Sequence, residues 1–133
     1  MIHEAITHTI LEACFEVANE LGSGFLESVY ERALLIALRS KGLVVTAHQP
    51  IQVYFRNECV GDFFADLMVE GKVVIELKAV TTLAPEHQAQ LINYLNATGL
   101  DVGLLVNFGP PKIEYRRLTS RTLHQLSHPH PVH

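Results

Sequence analysis

The sequence predicts an α/β fold: two helices, a three-stranded antiparallel meander, a third helix, and a buried strand parallel to the last strand of the meander. Three observations predict it. Apolar residues recur at helical spacing in three segments, each closed by glycine. Between the second and third of these, residues 51–56, 60–69 and 73–79 are rich in β-branched and aromatic side chains set in alternation. Residues 102–108 are almost continuously apolar, as a strand covered on both faces must be.

The first helical segment, 4–21, places Ile6, Ile10, Cys14, Val17 and Leu21 on one stripe and Glu12, Glu16 and Glu20 outside it. Gly22-Ser23-Gly24 stops it. The second, about 26–41, has the stripe Leu26, Val29, Tyr30, Ala33, Leu34 and Ala37 and ends at Gly42. Glu27 borders that stripe, on the side of Tyr30 one turn on. It reads either as a partly buried carboxylate or as a first-turn glutamate favoured by the helix dipole.

Leu43 to Thr46 is a short β-branched run that Pro50 interrupts before a half-buried strand at 51–56, and Asn57-Glu58 reads as the turn into the next strand. The third helix spans 81–98, with Pro85 in its first turn and Gly99 as its cap. One of its faces collects His87, Gln90, Leu91, Tyr94 and Thr98. The strand at 73–79, this helix and the strand at 102–108 make a right-handed crossover. Gly109-Pro110-Pro111 breaks the chain. Ile113 to Leu118 follows as an edge strand, where Lys112, Arg116 and Arg117 are either phosphate contacts or a solvated rim. Beyond Thr119 the Ser/His/Pro-rich stretch reads as a loose tail, and His124, His128, His130 and His133 fit no compact site spacing.

Composition narrows the function. A chain of 133 residues with 48% hydrophobic residues is sized for one domain with one core. It has no Trp and no apolar run long enough for a membrane span. Met1-Ile2-His3-Glu4 does not open a secretory signal, and Cys14, on a helical stripe, reads as a buried free thiol. These features point to the cytoplasm and to no membrane partner. A formal net charge of −4 argues against a protein that coats nucleic acid without specificity.

The chemistry concentrates in the hairpin 61–80. On its first arm Phe63, Ala65, Leu67 and Val69 alternate with Asp62, Phe64, Asp66 and Met68. On its second, Val73, Ile75, Leu77 and Ala79 alternate with Val74, Glu76, Lys78 and Val80. Matching the fully apolar faces pairs Val69 with Val73 and leaves Glu70-Gly71-Lys72 as the loop. That register sets Asp66 across from Glu76, with Lys78 two residues along the same face. Carboxylates so placed repel unless one is protonated or a cation lies between them. Glu-x-Lys on a strand can also be a solvated face or an ion pair, with Lys78 bridging Glu76 or Asp66.

Gly24-Phe25-Leu26-Glu27-Ser28-Val29-Tyr30, then Asp66, Glu76-Leu77-Lys78 and His87-Gln88-Ala89-Gln90-Leu91-Ile92-Asn93-Tyr94 follow one another in the order of the GxxExxY proteins. The chain resembles that family over about Ile6 to Phe108. GxxExxY proteins are similar to compact members of the PD-(D/E)XK nuclease superfamily, although Ala65 stands before Asp66 where that name has proline. The resemblance implies a restriction-endonuclease-like core of helix, meander, helix and parallel strand with an extra N-terminal helix, over 1–118 as one domain. It implies that Asp66, Glu76, Glu27 and the carbonyl of Leu77 hold Mg²⁺, with Mn²⁺ able to substitute. Lys78 would serve the attacking water. Gln90 and Tyr94 resemble a QxxxY element that orients the lysine and lines the substrate path, though a polar contact at a helix–sheet junction also explains them. His87 and Tyr30 are supporting candidates, His87 also reading as a helix-end residue. The implied activity is hydrolysis of DNA or RNA, with a homodimer or larger complex helping so small a protein grip a duplex. A non-catalytic nucleic-acid-binding or regulatory domain on the same fold is the alternative.

Overall fold

The computed structural model describes residues 1–121. Helix α1 spans Glu4–Leu21 and stops at Gly22, whose φ of 73° suits glycine. Helix α2 spans Glu27–Ser40. The sheet contains β1 (Val45–Phe55), β2 (Glu58–Val69), β3 (Val73–Lys78), β4 (Val102–Asn107) and β5 (Glu114–Thr119), in that spatial order. The first three strands are antiparallel. Helix α3 (Pro85–Thr98) carries the chain from β3 to the parallel strand β4, and β5 returns antiparallel to it.

Helices α1 and α2 cover one face. Ile10, Ala13, Cys14 and Val17 of α1 and Tyr30, Leu34 and Leu38 of α2 pack on Leu67, Val69, Ile75, Leu77, Leu104 and Val106. Burial pushes the Cys14 thiol up to about 12, so it is a packing group and not a nucleophile. Leu91 and Leu95 of α3 cover the other face with Ile51, Ala65, Met68, Val74 and Leu105. None of the described helices is long and apolar enough to cross a membrane.

Several expected details change. The buried column of α2 is Tyr30, Leu34 and Leu38, while Leu26 and Val29 are exposed. Leu26 is the extended N-cap, so it never joins the helical column, and Val29 lies a 100° step away from Tyr30. Pro50 sits inside β1 without breaking it, because β1 is an edge strand with a side free of ladder bonds. The β1–β2 turn falls on Arg56-Asn57, with φ of 51° and 67°, rather than on Asn57-Glu58. Helix α3 begins at Pro85, not at residue 81, because proline is suited to the first helical position. Thr119 belongs to β5, and the N–H of Ser120 donates to the carbonyl of Asp101 at 2.9 Å, so ordered structure runs past 118. Residues 122–133, with the tail histidines, lie outside the described residues.

One departure shapes the site. Leu67 and Val69 face α1 and α2, but Phe63 and Ala65 pack with Met68 on the α3 side. The same reversal occurs in β1, where Val45 and Ala47 face one way and Ile51 the other. Between them lies His48, with φ of 53°, in the gap between the Ala47–Leu67 and Gln49–Ala65 pairs that also holds Asp66. A left-handed residue turns the strand over, so the alternation expected across Asp66 does not continue. Beyond this gap β2 pairs with β1 alone, and the two run on as a ribbon that exposes Phe64, Tyr54 and Phe55.

Candidate active site

Leu67, Met68 and Val69 pair with Ile75, Val74 and Val73, so the register deduced from the apolar faces is the one formed. Asp66 and Glu76 therefore meet at the rung where β2 leaves β3. There, two side chains take the place of the backbone ladder. The N–H of Leu77 donates to Oδ2 of Asp66 at 2.7 Å, and the N–H of Asp66 donates to Oε1 of Glu76 at 3.2 Å. These bonds fix both carboxylates and satisfy backbone donors that the parting strands would orphan.

Lys78 ends β3 two residues on. Its carbonyl accepts the N–H of Phe108 at 2.8 Å, which locks the strand end to the end of β4. The next turn is held by buried Asn107, whose Oδ1 accepts from Val80 and Gly109 N–H groups at 3.0 Å each. Its Nδ2 donates to the Val80 carbonyl at 2.9 Å and to Oε1 of Glu114 at 3.0 Å. Gly109 is required at this crossing, since a Cβ there would lie 2.0 Å from the Val80 oxygen.

Glu27 opens α2 and is half-buried. The preceding loop is pinned by Tyr30, whose ring is buried and stacked on Phe108 at 4.7 Å. The Tyr30 hydroxyl donates to the Gly22 carbonyl at 2.6 Å and accepts from Phe25 N–H at 3.2 Å. Tyr30 thus supports the site from behind and lines no path into it.

Electrostatics ties these groups together. Burial, then the charge of Asp66, raises the Glu76 carboxyl to about 8. Burial raises Asp66 as well, against the Leu77 hydrogen bond and the Lys78 charge. Glu27 is raised by burial and by Asp66, and lowered by Lys78 and His87. Burial thus favours the protonated form of Glu76 in the absence of a cation, while the Leu77 N–H and the Lys78 charge oppose the upward shift of Asp66. Lys78 interacts with all three by charge, yet among the described residues it closes no ion pair with any of them. A structural salt bridge on the hairpin is therefore not what this cluster forms.

Glu76 and Lys78 line one small cavity with Phe63, His87, Gln90, Leu91, Tyr94 and Leu105. Tyr94 stacks on Phe63 at 3.6 Å between ring centres, and Gln90 Nε2 lies 3.5 Å from its hydroxyl. His87 is a helix-end residue too: its Nδ1 accepts the N–H of Ala84 at 3.1 Å. Two residues escaped the sequence. Glu31, one turn after Glu27, is raised by burial and by Asp66, and its Oε1 lies 2.7 Å from Nε2 of His48. The i, i+4 spacing from Glu27 was the available signal for Glu31; His48 had none.

The donors are carboxylates, hard oxygens that suit Mg²⁺, Mn²⁺ or Ca²⁺ rather than zinc. They are desolvated, with shifts that a cation would reverse. In their present rotamers, however, no three His, Cys, Asp or Glu side chains among the described residues are gathered closely enough to hold one ion. Asp66 Oδ2 and Glu76 Oε1 are turned onto backbone N–H groups instead. The fit to a hard divalent cation is one of donor chemistry.

Known proteins supply the frame for this geometry. Among solved structures, the protein SSO0001 superposes with a TM-score of 0.54 at 19% identity, over 76% of this chain and 55% of its own. The chain thus spans little more than half the length of that protein. An alkaline exonuclease from Laribacter hongkongensis superposes with a TM-score of 0.54 at 12% identity, over 96% of this chain and 75% of its own. At such identities the likeness is one of fold. No curated protein matches in sequence. The model of a family described as PD-(D/E)XK nuclease superfamily matches residues 4–118, from the start of α1 into β5 and across every site residue described above. By that match, and with the helix, meander, helix and parallel strand in the order it requires, the chain belongs to the PD-(D/E)XK nuclease superfamily.

Proposed function

We propose that this protein is a metal-dependent nuclease that hydrolyses phosphodiester bonds of DNA or RNA at Asp66, Glu76 and Lys78. Within the superfamily we place it among the GxxExxY proteins, on Gly24 to Tyr30 and the later motifs. The observation that carries the reading is the Asp66–Glu76 pair, two desolvated carboxylates held at a broken rung with Lys78 beside them. A purely structural cluster would relieve that cost with an ion pair; a cation site keeps it for the ligand.

Asp66, Glu76 and Glu27 would hold Mg²⁺, or Mn²⁺ in its place, with the Leu77 carbonyl as a further oxygen ligand. Such an ion polarises a phosphoryl oxygen and acidifies a bound water. Lys78 orients the attacking water and offsets negative charge that builds on the phosphoryl oxygens. Gln90 and Tyr94 border the lysine and the substrate path, and Tyr94 is held by its stack on Phe63. His87 serves the helix start and the local potential rather than the reacting atoms.

Calorimetric titration with Mn²⁺ tests the site. Wild type binds, and Asp66→Ala does not; no binding to wild type at millimolar metal refutes the reading. Single-stranded, duplex and branched DNA and RNA then reveal the substrate. Metal binding without cleavage of any of them would establish the non-catalytic alternative.

A further inference from the structure

We infer that Glu31 and His48 form a positioning pair that holds Glu27 of α2 and Asp66 of β2 at the separation cation binding requires. This rests on the cation-site reading above.

Among the described residues two polar bonds tie α2 to the sheet. Arg39, in the last turn, donates from Nη2 to the Val45 carbonyl at 3.0 Å. At the other end Glu31 meets His48 Nε2 at 2.7 Å. The first tie is three turns away from Glu27; the second is one turn away and on the same side of the helix. Without it, the helix end that carries Glu27 is fixed to the sheet by packing alone.

Both partners are built for the contact in ways that other roles do not explain. The Glu31 side chain is only 12% exposed, although it sits near two more carboxylates, Glu27 and Asp66, that raise it further. A glutamate with only a solubility role would turn outward. His48 is 67% exposed, so the core does not need its ring. Yet its backbone is held at φ 53°, a region histidine adopts rarely. That residue and Asp66 share the gap between the Ala47–Leu67 and Gln49–Ala65 pairs, where both strands turn over. The kink and the contact therefore act at one place: His48 turns β1 over beside Asp66 and aims its ring at the helix turn after Glu27. The pair joins α2, which supplies Glu27, to β1, the strand paired along β2 on both sides of Asp66.

Positioning and simple charge predict opposite signs. His48 meets Glu31 from α2 and interacts by charge with Asp66 from β2, both of them acids. Removing an imidazole from such surroundings cannot weaken cation binding through charge; it leaves affinity unchanged or raises it. Loss of positioning lowers it.

The test is Mn²⁺ affinity by calorimetry for wild type, His48→Gly and His48→Asn, with melting temperatures as control. Glycine and asparagine both accept the left-handed backbone, so each removes the ring and keeps the kink. The expected result is a fall of about tenfold in Mn²⁺ affinity in both variants, the scale seen when groups behind a metal ligand are lost. Melting temperature stays close to wild type, as suits an exposed ring. Equal or tighter binding in both variants overturns the positioning role while leaving the cation site standing. Failure of wild type itself to bind Mn²⁺ overturns the cation-site reading, and this one with it.

Discussion

Replacing Glu76 by glutamine stabilises the cation-free protein at neutral pH and above, and leaves it unchanged in acid. In the folded protein Glu76 is raised from 4.5 to about 8 by burial and by Asp66, whereas in the unfolded chain it titrates near its ordinary value. Between those two values the folded state binds a proton that the unfolded state releases. Stability is therefore complete below the unfolded value and is lost as pH rises through the folded one. At about 1.4 kcal/mol per pH unit, the cost at pH 7 is on the order of 3 kcal/mol. Glu27, Glu31 and Asp66 are raised as well, so their contributions share this sign. Glutamine imitates the protonated acid and keeps Oε1 as acceptor for the Asp66 N–H.

Urea denaturation of chelator-treated protein from pH 4.5 to pH 8.5 reads the effect. Wild type weakens steadily with rising pH, and Glu76→Gln weakens less. The two coincide near pH 4.5 and separate by roughly 3 kcal/mol at pH 7, or about 10 °C in melting temperature for a domain this size. Saturating Mn²⁺ reduces the pH dependence of wild type more than that of the variant. A flat wild-type profile between pH 5 and pH 8, or a variant no more stable than wild type at pH 8, would refute the claim that this pair is desolvated and unpaired.

Lys78→Ala retains Mn²⁺ binding, since a neighbouring positive charge is lost, but lowers cleavage by at least about a hundredfold, which a nuclease assay at saturating metal measures. Asn107→Ala leaves the Val80 N–H and carbonyl without partners behind Lys78; urea denaturation should report a loss of roughly 2–4 kcal/mol. Tyr30→Phe removes the bonds to Gly22 and Phe25 while keeping the stacked ring, lowering stability by about 1 kcal/mol in the same assay.

The centre of the site was legible because sheets obey a two-residue period. Apolar matching around Val69 and Val73 admits one register, and that register alone sets Asp66 by Glu76. The same rule failed four residues away. Phe63 and Ala65 change sides because His48 takes a left-handed backbone, and nothing in its identity announces that. Pro50 misled for a related reason: proline excludes only strands bonded on its N–H side, and which strand lies at the edge is a property of the assembled sheet. Glu27 could be placed at a stripe border from helical spacing. Glu31 needed knowledge of which side of α2 overlooks Asp66, and that is fixed by the register between helix and sheet.

The sign of stability changes separates a functional cluster from a structural one at this hairpin. In an ion-paired network each carboxylate favours the fold, and neutralising any one leaves a buried cation without its partner. Here Lys78 closes no such pair, and the acids are raised rather than lowered. Neutral amides at Glu76 and Glu27 should therefore strengthen the fold, while loss of Asn107 or Tyr30, which hold the loops behind them, should weaken it. The fold thus divides around the broken rung. Residues that fasten its walls contribute stability, and residues that face inward consume it. The core of α1, α2 and the sheet can bear that load, since its apolar side chains are almost wholly buried. Such opposition is expected where desolvated acids are kept for a ligand, and it has no reason to persist in a cluster that only holds the chain together.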